Sequence, residues 1–211
     1  MTRNVLEGSR LGRPPASDSA ETRRRILETA RDLFATGGFA GTTNRDIAAQ
    51  AGVTSAALYH YFSSKLEIYL AVLDDISDLV HQWLTESTRG HGSFRSAFGH
   101  VLDEAMRLAS VHPSIPGFLG SVRVDSRREP GIAVMLEARR ADVAAVFAEL
   151  VDLGVSTGEI PAHRRAEMSV FVFTVLFGLT EVLAGESDAQ ALAVDSFKAA
   201  VAGRLVEQPH H

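Results

Sequence analysis

Apolar residues recur along this chain at helical spacing, and no segment alternates apolar and polar positions as a half-buried strand does. Ile26, Ala30, Leu33 and Phe34 share one face of a first helix, expected over 19–36. Asp18 with Glu21 resembles an N-terminal capping box for it, and Gly37-Gly38 marks its end. A second helix is expected from Thr42 or Thr43 to about Ala51, and a third from Thr54 to about Tyr61. Ser64 and Glu67 form another capping-box pair. They open a long helix carrying Leu66, Leu70, Leu73, Ile76, Val80 and Trp83. Further helices are expected at about 93–111, 114–128, 132–153, 164–184 and 188–206, the last with a cap at Ser187 and Gln190. His112-Pro113, Pro130-Gly131, Gly154 with Gly158, and Gly185 punctuate them. The fold class is all-α. Residues 1–18 read as a flexible arm, with Gly8, Gly12, Pro14 and Pro15 and few apolar positions.

Within this pattern, 46–59 has the spacing of a helix-turn-helix. Ala48 is small where one helix must approach the next. Gly52, four residues on, can take the positive φ that ends a helix and turns the chain. Ile47, Val53 and Leu58 supply apolar plugs beneath the turn, and Thr54 can cap the following helix. An ordinary pair of packed helices would show many of the same features. Phe62 is assigned to the core with Phe34 and Leu58.

Charge changes the picture modestly. The chain of 211 residues carries a net −5, but 1–65 carry +3 and 66–211 carry −8. A basic end on an acidic body suggests a polyanion partner for that end. Cysteine is absent, so disulfide and thiolate chemistry are excluded. The longest apolar run, 170–179, is interrupted by Thr174 and Gly178 and falls short of a membrane span. With no apolar stretch near the start, the protein is read as cytoplasmic, with no membrane partner. There is no Gly-x-Ser-x-Gly elbow, phosphate loop or metal-spaced cluster, and the eight histidines are scattered. No catalytic residue, metal or cofactor is therefore expected. His210-His211 can be native or the remnant of a purification tag.

Phe39, Thr42-Thr43, Asp46-Ile47-Ala48, Ala51-Gly52-Val53, Leu58 to Phe62 and Ser64-Lys65 together resemble the N-terminal signature of the TetR family of transcriptional regulators. The resemblance spans about 22–70. It implies a three-helix DNA-binding module over 19–65, preceded by a basic arm, and a larger helical ligand-binding and dimerisation domain over 66–211. The implied function is sequence-specific DNA binding, with repression relieved by a small molecule. A helical interaction module that does not bind DNA is the alternative.

The resemblance also assigns roles. Thr42 or Thr43 would meet a phosphate at the start of the second helix, where free N–H groups attract anions. Tyr59 and His60 would hydrogen-bond phosphates, and Lys65 would contact phosphate from the start of the fourth helix. Tyr59 has a second reading as a packed core tyrosine. Arg45, Thr54, Ser55 and Ala57 are the candidates near base edges. The arm, with Arg10 and Arg13, either follows the minor groove or is an unused tail. Arg23, Arg24 and Arg25 either face phosphate or form a solvated face.

An inverted-repeat operator in double-stranded DNA needs two recognition helices about 34–36 Å apart, hence a homodimer. Phe171, Val175, Gly178 and Leu179, with Phe197 and Val201, are expected at its interface, although the same faces can complete the monomer core. Trp83, Phe98, Met106, Phe118, Met135 and Phe147 are candidate lining for a moderately hydrophobic effector, with His112, Arg123 and Asp125 as polar anchors.

Overall fold

The computed structural model describes residues 15–184 and 187–203. The expected arm with Arg10 and Arg13 lies outside them, as do Gly185 and His210-His211. Among the described residues there are nine α-helices and no strand. They are α1 (Pro15–Gly41), α2 (Asn44–Gln50), α3 (Ser55–Tyr61), α4 (Lys65–Thr88), α5 (Phe94–Val111), α6 (Ser114–Asp125), α7 (Pro130–Ser156), α8 (Arg165–Leu183) and α9 (Ser187–Val201). None of these helices is long and apolar enough to cross a membrane.

Several boundaries differ from expectation, three of them for evident local reasons. α1 already runs from Pro15, so the Asp18–Glu21 pair lies inside the helix. Its helical geometry breaks at Gly38 (φ 63°), and one more turn carries it to Gly41. α7 starts at Pro130, because proline has no N–H to lose in a first turn and its fixed φ suits that position. Ser64 caps α4 as expected, its Oγ accepting the Glu67 N–H at 3.1 Å. Glu67 reaches back one residue further than a capping box requires: its Oε2 accepts both the N–H and the hydroxyl of Ser63 at 2.6 Å. Those hydrogen bonds hold its pKa below the ordinary carboxylate value.

The buried residues form two apolar clusters. The first joins Ile26 and Phe34 of α1, Ile47 of α2 and Leu58 of α3 to Ile68, Tyr69 and Leu73 of α4, Phe118 and Val122 of α6, and Ile132 of α7. Phe62 lies in it with Phe34 and Leu58, as expected. Its centre is aromatic: the Tyr69 ring lies 4.7 Å from Phe34, 5.4 Å from Phe39 and 5.1 Å from Phe118. The second gathers Leu84 of α4, Phe98 and Leu102 of α5, Leu150 and Val151 of α7, Val172, Val175 and Leu179 of α8, and Val194 of α9. Val80, midway along α4, packs against both. The helix-turn-helix therefore shares its core with α6 and α7, and α4 passes from one cluster into the other.

Candidate functional site

Caps and one left-handed residue build the helix-turn-helix. Thr43 is the N-cap of α2: its Oγ accepts the Asp46 N–H at 3.2 Å, and Asp46 accepts the Thr43 N–H at 3.1 Å. Ile47 and Ala48 face inward. At the other end Gly52 takes φ 67°. Its N–H donates to the Ala49 carbonyl at 3.3 Å, and that of Val53 to the Ala48 carbonyl at 3.0 Å, which closes a Schellman turn. Thr54 then caps α3, its Oγ accepting the Ala57 N–H at 3.1 Å. A Cβ on Gly52 would meet nothing within 4 Å, so the penalty for replacing it is conformational. Gly52→Ala is expected to lower stability by about 1–2 kcal/mol, and Gly52→Val by more, because β-branching resists positive φ. Urea denaturation measures this, and unchanged midpoints would mean that the turn has another conformation.

The outward side of this unit carries Thr43, Arg45, Thr54, Ser55, Tyr59 and His60, all exposed, with Ala57 half-buried. Tyr59 is 54% exposed, so it is not a core tyrosine. Its Oη accepts from the Nδ2 of Asn44 at 3.2 Å, which ties α3 to the first residue of α2. The sequence reading missed Asn44, since only the crossing of the two helices reveals it. The Thr43 hydroxyl donates to Asp46 Oδ2 at 2.6 Å, so a phosphate there would compete with a carboxylate.

Thr42 and Lys65 are both engaged by the protein's own backbone. Thr42 is 3% exposed, and its hydroxyl donates to the carbonyls of Gly38 (3.0 Å) and Leu33 (3.3 Å). It closes the end of α1. Lys65 is half-buried, with Nζ donating to the carbonyls of Phe39 at 2.6 Å and Thr42 at 2.8 Å and lying 4.3 Å from the centre of the Phe39 ring. Its charge is engaged by the α1–α2 junction, where helix-end carbonyls need donors. Arg25 plays a similar part, donating to the Ala51 carbonyl at 2.9 Å. Arg23 lies over Phe62 and Arg24 pairs with Glu28 at 2.7 Å, so the arginine run is more than a solvated face.

Asp125 is also engaged within the protein. It is 6% exposed and faces the head rather than a ligand site. Its Oδ2 accepts the Phe39 N–H at 2.9 Å and the Tyr69 hydroxyl at 2.9 Å. Burial, reinforced by the Asp125 charge, pushes the Tyr69 phenol far above its ordinary pKa, so it stays a donor. Phe39 is thus held at its N–H by α6 and at its C=O by α4.

Behind this junction lies a cavity of about 720 Å³ between α4, α5, α6, α7 and α8. Of the candidate lining residues, Trp83, Arg123 and Phe147 border it, and Phe173, Phe177 and Leu176 of α8 join them. Phe98, Met106, His112, Phe118 and Met135 do not. Phe118 and Met135 belong to the first apolar cluster, Phe98 and Met106 to the second, and His112 caps the end of α5.

Residues 26–72 match the family model for bacterial regulatory proteins of the tetR family. Over 164 residues the chain is 41% identical to the transcriptional regulator SrpR of Pseudomonas putida, covering 77% of this chain and 75% of that one. The chain belongs to the TetR family. It is also 25% identical to the transcriptional repressor BepR of Brucella suis over 188 residues, 81% of this chain and 84% of that one. In fold it is similar to a putative transcriptional regulator from Saccharomonospora viridis solved in complex with choline, with TM-score 0.72, 22% identity, and coverage of 87% and 95% of the two chains. This TetR-family protein is a helix-turn-helix DNA-binding transcriptional regulator.

In this TetR-family chain the expected dimer residues divide. Val175 (6% exposed) and Leu179 (1% exposed) are buried inside the second cluster. Phe171 packs on Phe98, and Phe197 and Val201 also lean on that cluster. Gly178 is exposed, with nothing within 4 Å of where a Cβ would stand. Among the described residues, the exposed large apolar residues of the last two helices are Val170 (66%) and Leu192 (70%). Period-3.6 counting found an apolar helix, but α8 is apolar nearly all round, so the pattern alone could not say which side faces out.

Proposed function

We propose that the protein is a dimeric cytoplasmic repressor, released from an inverted-repeat operator by a small molecule in the cavity. The observation that carries this reading is the last turn of α6. Arg123, Ser126 and Arg127 line the cavity, while Asp125 among them holds Phe39 and Tyr69. A molecule that moves this turn changes the support of the α1–α2 junction, and with it the position of α3. Only unequal affinity for the two arrangements can shift their populations.

On this reading Arg45, Thr54, Ser55 and Ala57 approach base edges, and Thr43, Tyr59 and His60 approach the backbone. Thr42 and Lys65 shape the surface without contacting DNA. Two copies meet through the exposed side of α8 and α9, around Val170, Gly178 and Leu192. The repressor name of BepR supports the sign of regulation, and no catalytic role is assigned.

Selection from a random duplex library tests the reading. The expected winner is an inverted repeat whose half-sites lie about one helical turn apart. Val170→Asp with Leu192→Asp should give a monomer by light scattering and reduce operator affinity by about a hundredfold or more, since linkage of two half-sites supplies that factor. Enrichment of single, unrepeated sites, or a double variant that stays dimeric, would refute this arrangement.

A further inference from the structure

The cavity has an electrostatic character that apolar residues alone do not give. Arg123, Arg127, Arg139 and Arg140 line it, and among the described residues no aspartate or glutamate does. Two of the four are neutralised. Arg139 is paired with Asp74 and with Asp78, the latter at 2.9 Å, and Arg140 lies 3.5 Å from Glu137. No salt bridge joins Arg123 or Arg127 to a carboxylate among the described residues, and Asp125 between them is turned to Phe39 and Tyr69. The Arg123 guanidinium is held 4.2 Å from the centre of the Phe177 ring, which orders it without consuming its hydrogen-bond donors.

A second, independent feature is an orphaned donor. Trp83 lines the cavity, and its Nε1 is buried with no hydrogen-bond partner. Indole N–H groups only donate, so an oxygen acceptor is what this group lacks. The remaining walls are mostly apolar, with Leu108, Val143, Phe147 and Leu176, and are broken by the hydroxyls of Ser77, Ser126, Thr174 and Thr180. The volume suits a molecule of drug size.

We infer that the effector is an organic carboxylate with an apolar body, its charged end at Arg123 and Arg127 and its body along Trp83 and Phe147. This rests on the reading of the cavity as the effector site. A guanidinium pair without a counter-charge favours a carboxylate, which accepts paired N–H bonds. The same pair disfavours a cation, so the selectivity is opposite to that suited to choline.

Trp83 is the single tryptophan, so its fluorescence reports occupancy directly. The full chain is titrated with straight-chain carboxylates of eight to fourteen carbons, with the alcohols of equal length, and with choline. Carboxylates are expected to bind at least about tenfold tighter than the matching alcohols, because charge-assisted bonds outweigh neutral ones. Arg123→Ala with Arg127→Ala should bring that ratio close to one while alcohol binding persists, which also certifies the fold. Equal binding of acid and alcohol, tighter binding of choline, or no binding by any carboxylate overturns the inference. A parallel operator-binding assay separates the two claims. A carboxylate that binds without releasing DNA leaves this inference standing and refutes release; an alcohol that binds equally and releases DNA does the reverse.

Discussion

Asp125→Ala is expected to lower the free energy of unfolding by about 3 kcal/mol. The Oδ2 of Asp125 accepts two donors, the Phe39 N–H and the Tyr69 hydroxyl, each at 2.9 Å. Truncation strands both, and a buried unsatisfied donor costs about 1–3 kcal/mol. Tyr69 is fully buried in the aromatic centre of the first cluster and cannot turn to water. Its raised pKa also closes the escape of losing the proton. Asp125→Asn keeps the shape and one acceptor, so it should cost about half as much, and Tyr69→Phe about 1 kcal/mol. The double variant Asp125→Ala, Tyr69→Phe should cost less than the two single losses together, since the second change removes a donor already stranded. Urea titrations at constant m-value measure all four. Additive losses, or an Asp125→Ala loss under about 0.5 kcal/mol, would show that the carboxylate does not hold this junction.

The same contacts bear on regulation. Phe39 is fixed on its N–H by α6 and on its C=O by Lys65 of α4, and its ring packs on Phe34 and Tyr69. The junction before the helix-turn-helix is thereby a meeting point of two of the helices that border the cavity. A packed interior responds to a displaced neighbour by moving as a body. Movement of the last turn of α6 would therefore be felt at Phe39 rather than absorbed.

Much of this was legible along the chain, in proportion to how local the physics is. Caps and turns depend on residues a few positions apart, so Thr54, Ser64, Gly52 and the helices they bound were found from spacing. The backbone contacts of Thr42 and Lys65 were not legible, because their partners Leu33, Gly38 and Phe39 belong to the end of α1, up to 26 positions away. Asp125 accepts from residues 86 and 56 positions away, which no spacing rule reaches. The cavity fared similarly: its large apolar residues were identifiable, but whether Phe118 or Phe147 faced the void depended on how the helices cross. On α8 the apolar surplus concealed direction, and Val175 and Leu179 proved to be core.

Operator affinity should fall steeply with salt. If the dimer neutralises about six to ten phosphates, the logarithm of affinity falls against the logarithm of salt with slope about −5 to −9. Between about 50 and 200 mM that is a loss of roughly a thousandfold or more. The body opposes binding with its −8 net charge, so the attraction must come from the head, which carries +3 with the arm. Within the head Lys65 is engaged by backbone carbonyls, which leaves exposed Arg45 as the prominent cation of the helix-turn-helix. Arg45→Ala separates its two readings. If Arg45 touches phosphate, the slope becomes shallower by about two, one contact per protomer, and operator and random duplex weaken alike. If it reads a base edge, discrimination drops while binding to random duplex keeps its slope. Tyr59→Phe should weaken operator and random DNA together without altering the slope, because a phenol contributes a hydrogen bond and no charge. A flat salt dependence of the parent protein would remove the electrostatic account of this surface altogether.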